Sequence, residues 1–470
     1  MFGIILDRQM QLPLKRQLYT ALRDQMILGK LIAGTALPST RELAKAMNIS
    51  RNTACEAYEM LLAEGYLVCR QGARTVVADN LCVHVQTPVS SKKTADSVTL
   101  LADFQTGRPD TALFPMVQWQ RAMRAALTEL SPTEYGYTGP QGLLCLREEI
   151  AAYLYRGRGI SISPEDVFIT AGATHAIHIA AGIVKEHGSV LLSEDPCHTG
   201  MRKTFSQAGL TVDPVMADGM GLETAYLPKS TSACCLYVTP SHQFPLGGIL
   251  PAARRAALIL YAREKNLFLI EDDYDSEFRY KGDPVTPLYA LDPKRVIYIG
   301  TFSKTMFPAL RIGYAIVPKS LQTLWMRIRT YSDVQNPPFE QAALAYFLRE
   351  RMLDRHIQKM RKVYGKRREV LIKALQHAFS DGCIPLGDAA GLHMAVRFPG
   401  RCFDTTFHKH CLEKGVFVTP AEYHSIKKGR YQDTLLLGFG HLTPDQIERG
   451  ILLLAQLITQ GMFLASSVWV

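Results

Sequence analysis

Five short apolar runs, VFIT, SVLLSED, CCLYVTP, LFLIEDD and RVIYIG, recur between residues 167 and 300 and are separated by stretches with helical spacing. Strands alternating with helices in this way constrain a chain to a mostly parallel sheet with helices on its faces. Such sheets gather their ligands at the carboxyl ends of the strands. In this chain the unusual polar residues follow the runs. VFIT leads through a glycine turn into AGATHAIHIAAGIV, where the backbone N–H groups of Gly172, Ala173 and Thr174 can cradle a phosphate at a helix start. LFLI leads into EDDYDSEFRY, and RVIYIG into TFSKTMFPALR.

Carboxylates as dense as those of EDDYDSEFRY need partners when desolvated. Asp272 suits a protonated ring nitrogen and Tyr274 a phenolic oxygen. In the next segment Thr301, Ser303 and Arg311 suit a phosphate, the arginine through paired hydrogen bonds. Lys304 is the catalytic candidate, an amine that can condense with an aldehyde, its pKa lowered by burial and cationic neighbours. An acid for a pyridinium, a tyrosine for a ring oxygen, a lysine and a set of phosphate ligands are what pyridoxal 5′-phosphate demands. The plain alternatives are strand-to-helix turns and a solvated acidic loop. No metal is expected, because no histidines stand at ligand spacing beside the acidic run.

Residues 13–78 form a different unit. PLKRQLYTALRDQMILGK places Leu14, Leu18, Leu22, Met26 and Ile27 on one side of a helix. Ser39, with Glu42 three residues on, opens a second helix as a capping box, and that helix ends near Asn48. Ser50 caps a third helix that ends at Gly65, and YLVCRQGARTVVAD alternates around Gly72 as a hairpin does. Helix, tight turn, helix and hairpin is the layout of a winged helix-turn-helix. Arg51, Asn52 and Thr53 at the start of the third helix can reach base edges and phosphates of double-stranded DNA. Arg41 can hold a phosphate from the second helix, and Arg70 and Arg74 from the wing. The competing reading is a helical protein-interaction module with solvated charges.

The stretch LPSTRELAKAMNISRNTACEAYEMLLAEGYL resembles the DNA-binding domain of GntR-type bacterial repressors, although the wing tip QGARTVV lacks the family's usual second glycine. From about Asp103 onward the chain resembles a fold-type I aminotransferase, through EYGYTGPQGLLCLREEIAAYL, DDYDSEF and TFSK. The two together are similar to MocR-type regulators. That resemblance implies an α+β winged helix-turn-helix domain over residues 1–79, a linker over 80–101 and an α/β aminotransferase-like effector domain over 102–470. It implies a bound pyridoxal phosphate, operator DNA, a small amine or amino-acid effector or pyridoxal phosphate itself as signal, and a head-to-tail homodimer. EYGYTGPQG matches the family's segment at the active-site entrance, which implies an effector contact at Tyr137.

Three segments depart from the enzymes. The Asn-Pro-Thr-Gly motif is replaced by TPSHQFPLGG, where His242 or Gln243 can supply a polar contact, the plain alternative being a turn held by Pro240, Pro245 and the glycines. EDPCHTG puts His198 where the family often stacks an aromatic on the cofactor. In KKGRYQDTLLLGFG, Arg430 stands earlier than the arginine that clamps a substrate carboxylate. These departures favour a regulator over the alternative, an active aminotransferase with a DNA-binding appendage.

Composition adds bounds. The net charge of +10 permits an acidic partner. Ten scattered cysteines without C-x-x-C suit a reducing cytoplasm, and no signal peptide is evident at the N-terminus. The apolar C-terminal ILLLAQLITQGMFLASSVWV reads as a core-packed helix rather than a membrane span. RERMLDRHIQKMRKVYGKRREV carries nine Lys/Arg against three acids and reads as a helix whose charges are solvated, packed by Met352, Ile357, Met360 and Val363.

Overall fold

The computed structural model describes residues 2–69, 74–79, 100–282 and 285–466. The chain divides into two compact units, Met1–Asp96 and Ser97–Val470. Most of the expected linker, residues 80–99, lies outside the described residues.

In the first unit, helices α1 (Leu14–Ile27), α2 (Thr40–Met47) and α3 (Arg51–Ala63) enclose Leu18, Leu22, Met26, Leu43, Ala57 and Leu61, all with no solvent exposure. The capping box at α2 is formed. Glu42 N donates to Ser39 Oγ at 3.3 Å, and Ser39 N donates to Glu42 Oε2 at 2.8 Å. Asn48 ends α2 in a left-handed conformation, φ +52°. Thr53 N donates to Ser50 Oγ at 3.0 Å and so starts α3. Strands β1 (Leu67–Val68) and β2 (Val76–Val77) pair antiparallel as the hairpin.

The second unit begins with β3 (Ala102–Asp103). Its main sheet is built from β4 (Val167–Thr170), β5 (Val190–Asp195), β6 (Thr211–Asp218), β7 (Gly221–Leu222), β8 (Ala233–Val238), β9 (Phe268–Asp273), β10 (Val296–Thr301) and β11 (Gly313–Ile316). The order is β4-β11-β10-β9-β8-β5-β6-β7. The pairs β10/β9, β9/β8, β8/β5 and β5/β6 are parallel, while β11 runs antiparallel to both of its neighbours. Strands β4, β8, β10 and β11 are buried along their whole length, as expected of strands covered by helices on both faces. The carboxyl ends of β4, β5, β8, β9 and β10 therefore meet along one edge, at Thr170, Asp195, Val238, Asp273 and Thr301. A second sheet joins β12 (Ile384–Leu386), β13 (His393–Arg397), β15 (Thr419–Pro420) and β16 (Thr434–Gly438), and β14 (Val416–Phe417) pairs with β3.

The C-terminal helix Pro444–Ser466 buries Ile447, Ile451, Leu454 and Ile458. Among the described residues no helix is long and apolar enough to cross a membrane. The cation-rich helix Met352–Phe379 is packed by Met352, Leu353, Ile357 and Met360, with Val363 half-buried. Its charges are not all solvated, because Arg367 and Arg368 turn inward to pair with Asp110 and Asp388.

Candidate functional site

The parallel register brings the expected cofactor ligands together. A cavity of about 250 Å³ at the strand ends is lined by Ala173, Thr174, His198, Asp272, Tyr274, Thr301, Ser303, Lys304 and Arg311. Also lining it are Thr106, Gly107, Tyr237, Thr239, Phe244 and His393, none of which was singled out from the sequence.

At one end, Asp272 is 6% exposed. Tyr237 Oη donates to its Oδ2 at 2.7 Å, and its Oδ1 is buried with no partner among the described residues. Burial pushes this carboxyl up to about 6, while the tyrosine hydrogen bond opposes the shift. An unpaired carboxylate oxygen beside a cavity is what a protonated ring nitrogen requires. Tyr237 was legible in principle. It pairs in register with Ile270, so residue 272, two positions on, lies on the same face of the neighbouring strand.

At the centre, Lys304 Nζ donates to Gly107 O at 2.6 Å. Burial holds its pKa below the usual lysine value. Cationic neighbours are not the cause. The charges acting on it, Asp275 and Asp272, oppose the shift. Gly107, at φ +72°, has to be small, since a Cβ there would stand 2.9 Å from Lys304 Nζ.

At the far end lie the phosphate candidates. Thr301 Oγ1 donates to Ser303 Oγ at 3.1 Å, which leaves the Ser303 hydroxyl proton free to donate elsewhere. Arg311 sits in a left-handed turn, φ +51°, and its Nη2 donates to Ala171 O at 2.6 Å. Gly172, at φ +88°, precedes the helix Ala173–Lys185, whose start has no side-chain cap. Its first N–H groups are therefore available to an anion. A Cβ on Gly172 would meet Arg311 Nη2 at 3.1 Å.

His198 lines the cavity and caps the helix Thr199–Gln207, its Nδ1 accepting from Gly200 N at 3.1 Å. Its ring lies 5.0 Å from that of Phe244, and burial, then the Lys304 charge, lower its pKa. Tyr274 Oη donates to the His242 carbonyl at 2.9 Å. His242 itself does not line the cavity. It stands behind Tyr274, with Nδ1 2.9 Å from Asp275 Oδ1. His242, Asp275 and His393 bring one donor atom each within 4.8 Å of one another, a grouping that sequence spacing did not show. His242 Nδ1 and Asp275 share a hydrogen bond, while His242 Nε2 and His393 Nδ1 are buried with no partner among the described residues.

Two effector candidates lie apart from the cavity. Arg430 borders a separate recess with Arg397 and Asp433 and faces Glu223 at 3.7 Å. Tyr137 is 90% exposed and not among the lining residues.

On the first unit, Arg41, Arg51, Asn52 and Arg74 are exposed, as phosphate and base contacts require. Thr53 is half-buried, and its hydroxyl lies 2.8 Å from Ser50 Oγ, so it belongs to the cap of α3. Arg70 lies outside the described residues.

Residues 14–77 match the bacterial regulatory proteins of the gntR family, and residues 102–451 match aminotransferase class I and II. The chain is 32% identical to the probable rhizopine catabolism regulatory protein MocR of Rhizobium meliloti, over 95% of this chain and 94% of that protein. It is 35% identical to the pyridoxine biosynthesis transcriptional regulator PdxR of Corynebacterium glutamicum, over 81% of this chain and 82% of that one. An archaeal alanine:glyoxylate aminotransferase superposes with a TM-score of 0.72 at 26% identity, covering 77% of this chain and 92% of its own. A tetra mutant of Thermus thermophilus aspartate aminotransferase shares the fold at 20% identity and a TM-score of 0.67, covering 76% of this chain and 96% of its own. With a GntR-type winged helix-turn-helix joined to an aminotransferase class I and II unit, the chain belongs to the MocR-type subfamily of GntR transcription regulators.

Proposed function

We propose that the chain regulates transcription by holding pyridoxal 5′-phosphate in the strand-end cavity and reporting a small amine, an amino acid or the cofactor itself to its DNA-binding unit. The observation that carries the reading is the bare, buried Asp272 Oδ1 in one cavity with the amine of Lys304 and the guanidinium of Arg311. Bound there, the cofactor supplies a carbonyl group that condenses with amines. Asp272 would hold the ring nitrogen and its proton. Tyr274 would orient the ring from the side of His242. Arg311, Ser303, Thr301 and the start of the helix Ala173–Lys185 would fix the phosphate. Lys304, kept less basic by burial, would offer its amine to the carbonyl and yield it to an incoming effector.

The names of the relatives support a small-molecule signal, since one is called a regulator of rhizopine catabolism and another of pyridoxine biosynthesis. Large apolar side chains left exposed at Met116, Val117, Tyr137 and Tyr331 support assembly into a homodimer. The decisive experiment measures DNA binding by fluorescence anisotropy against a panel of amines, with and without pyridoxal phosphate. A response that needs the cofactor and disappears in Lys304→Ala supports the proposal. A response indifferent to both refutes it. Continuous keto-acid production in the same preparation would favour the enzymatic alternative.

A further inference from the structure

The acidic run at the end of β9 holds a carboxyl that the cofactor reading does not use. Glu271 accepts from the backbone N–H groups of Leu288 and Tyr289, both at 2.9 Å. Asp273 is held by Arg158 and by Tyr298 Oη, and Glu277 by Tyr153 Oη at 2.8 Å. Asp275, 1% exposed, meets neither a lysine nor an arginine in direct contact among the described residues. A buried carboxylate without a paired cation is costly, so its surroundings have to account for it.

Two groups hold it. His242 Nδ1 lies 2.9 and 3.2 Å from its two oxygens, so the imidazole proton sits on Nδ1 and is donated to the carboxylate. Leu392 N donates to Asp275 Oδ2 at 3.3 Å. Tyr274 Oη stands 3.1 Å from the same histidine nitrogen and donates to the His242 carbonyl at 2.9 Å. A tyrosine of the cavity wall is thus seated on the histidine, and the histidine on the carboxylate. The backbone at Gly391 lies against both members of the pair, where an added Cβ would collide with His242 Cε1 and stand 2.6 Å from Asp275 Oδ2. Neither His242 nor Asp275 lines the cofactor cavity.

The charge of Asp275 nevertheless reaches that cavity. It is the largest charge acting on Lys304, ahead of Asp272, and both keep the amine more basic against the effect of burial. It is also the largest charge acting on the Tyr274 hydroxyl. The other titratable groups that feel it are Asp272, Tyr280 further along the same segment and His393 on β13. Lys304 is the cation among them.

We propose that Asp275 and His242 form a positioning pair behind the cofactor cavity, in which Asp275 is the buried counter-charge of the Lys304 amine and His242 holds that carboxylate in place while seating the Tyr274 hydroxyl. The pair then sets how much of the amine is free to condense with a carbonyl at a given pH. That use of the amine rests on the cofactor reading, whereas the charge relationship stands without it.

Reaction of Lys304 with trace acetic anhydride, followed by mass spectrometry of its peptide in the cofactor-free full chain, gives the pH midpoint at which the amine loses its proton. Asp275→Asn keeps an acceptor for His242 and removes the charge, so the midpoint should fall by about half a unit or more. His242→Leu should lower it too, because a buried carboxylate deprived of its donor neutralises. His242→Gln retains a donor for Asp275 and should keep the midpoint near that of the wild type. Thermal melts identify any variant that does not fold. A purely structural pair would change the melts and leave the midpoint where it is. An unchanged or raised midpoint in Asp275→Asn overturns the counter-charge, and where that variant does not fold, equal midpoints in His242→Leu and His242→Gln do so. In the cofactor-loaded chain the pH at which the visible absorption changes should move downward in Asp275→Asn as well. Only this last readout needs the cofactor. A chain that takes up no pyridoxal phosphate would end the cofactor reading, while the labelling would still decide the pair.

Discussion

Tyr237 Oη reaches Asp272 Oδ2 at 2.7 Å and leaves the other carboxyl oxygen buried and without a partner among the described residues. Adjacent parallel strands, β8 and β9, supply the two residues, so the sheet register itself fixes the distance. A half-satisfied buried carboxyl costs stability in the cofactor-free chain and is relieved by a donor in the cavity. Site geometry and folding energetics therefore meet at Asp272.

The pH dependence follows with a definite sign. The Asp272 pKa rises from 3.8 to about 6 on folding, so the folded chain binds its proton more readily than the unfolded chain. Cofactor-free stability therefore declines as pH rises through that window. Asp272→Asn keeps an acceptor for Tyr237 and removes the charge. We expect the variant to be more stable than the wild type at pH 7.5 by about 1–3 kcal/mol, from a shift of roughly two units. The advantage should vanish near pH 4. Thermal melts of both proteins at the two pH values check this, and pyridoxal phosphate affinity should fall in the same variant.

Lys304→Ala should abolish the visible absorption of the cofactor-loaded chain that comes from a lysine-bound carbonyl. The cavity keeps Asp272, Arg311 and the helix start in this variant, so pyridoxal phosphate should still bind, but reversibly and removable by dialysis. Absorbance spectra before and after dialysis separate the outcomes. A band retained in the variant would assign the reactive amine to another residue.

Gly172→Ala tests the phosphate end. At φ +88° and ψ 173° the backbone occupies a region open essentially to glycine alone, and an added Cβ would press on Arg311. The cost should be about 1–3 kcal/mol, appearing partly as lower stability and partly as weaker binding of the phosphate. Inorganic phosphate competing for the cavity should lose affinity alongside pyridoxal phosphate. Loss of stability with phosphate affinity unchanged would detach Gly172 from the anion end.

Ser39→Ala removes one half of the α2 capping box, in which Ser39 and Glu42 exchange two hydrogen bonds. Loss of such a cap costs about 1 kcal/mol. Chemical denaturation should show this loss in the first unit while cofactor binding is unchanged.

The residues proposed to hold the cofactor are placed legibly because each ends or follows an apolar run, and the run fixes which strand end it occupies. VFIT, LFLIEDD and RVIYIG by themselves carry Gly172, Asp272 and Lys304 to one edge of the sheet. The caps at Ser39 and Ser50 were legible for a similar reason, being local contacts within four residues. Tertiary partners were not. Gly107 meets Lys304 across 197 positions and His393 joins the cavity from the second sheet, and no local pattern announces either. Arg430 shows the reverse, since proximity in sequence to the family's expected position does not place it among the lining residues of the cavity. The pKa of Lys304 is lowered by burial, as the apolar run before it suggests, but its charged neighbours are the acids Asp275 and Asp272, which local sequence does not reveal.

The winged helix-turn-helix offers two kinds of candidate contact. Arg51 and Asn52 open α3 side by side, both exposed, while Thr53 is held by the Ser50 cap. Asparagine can read an adenine edge by paired hydrogen bonds, whereas an arginine on the backbone contributes charge without reading sequence. Asn52→Ala should relax operator specificity by about 1–3 kcal/mol at one base position with little change in salt dependence. Arg41→Ala, on α2, should weaken binding to operator and random duplex alike and lower the salt slope by about one. Anisotropy titrations at several salt concentrations, on both duplexes, distinguish the two. Equal effects of both substitutions on specificity and on salt slope would mean that α3 does not lie in the major groove.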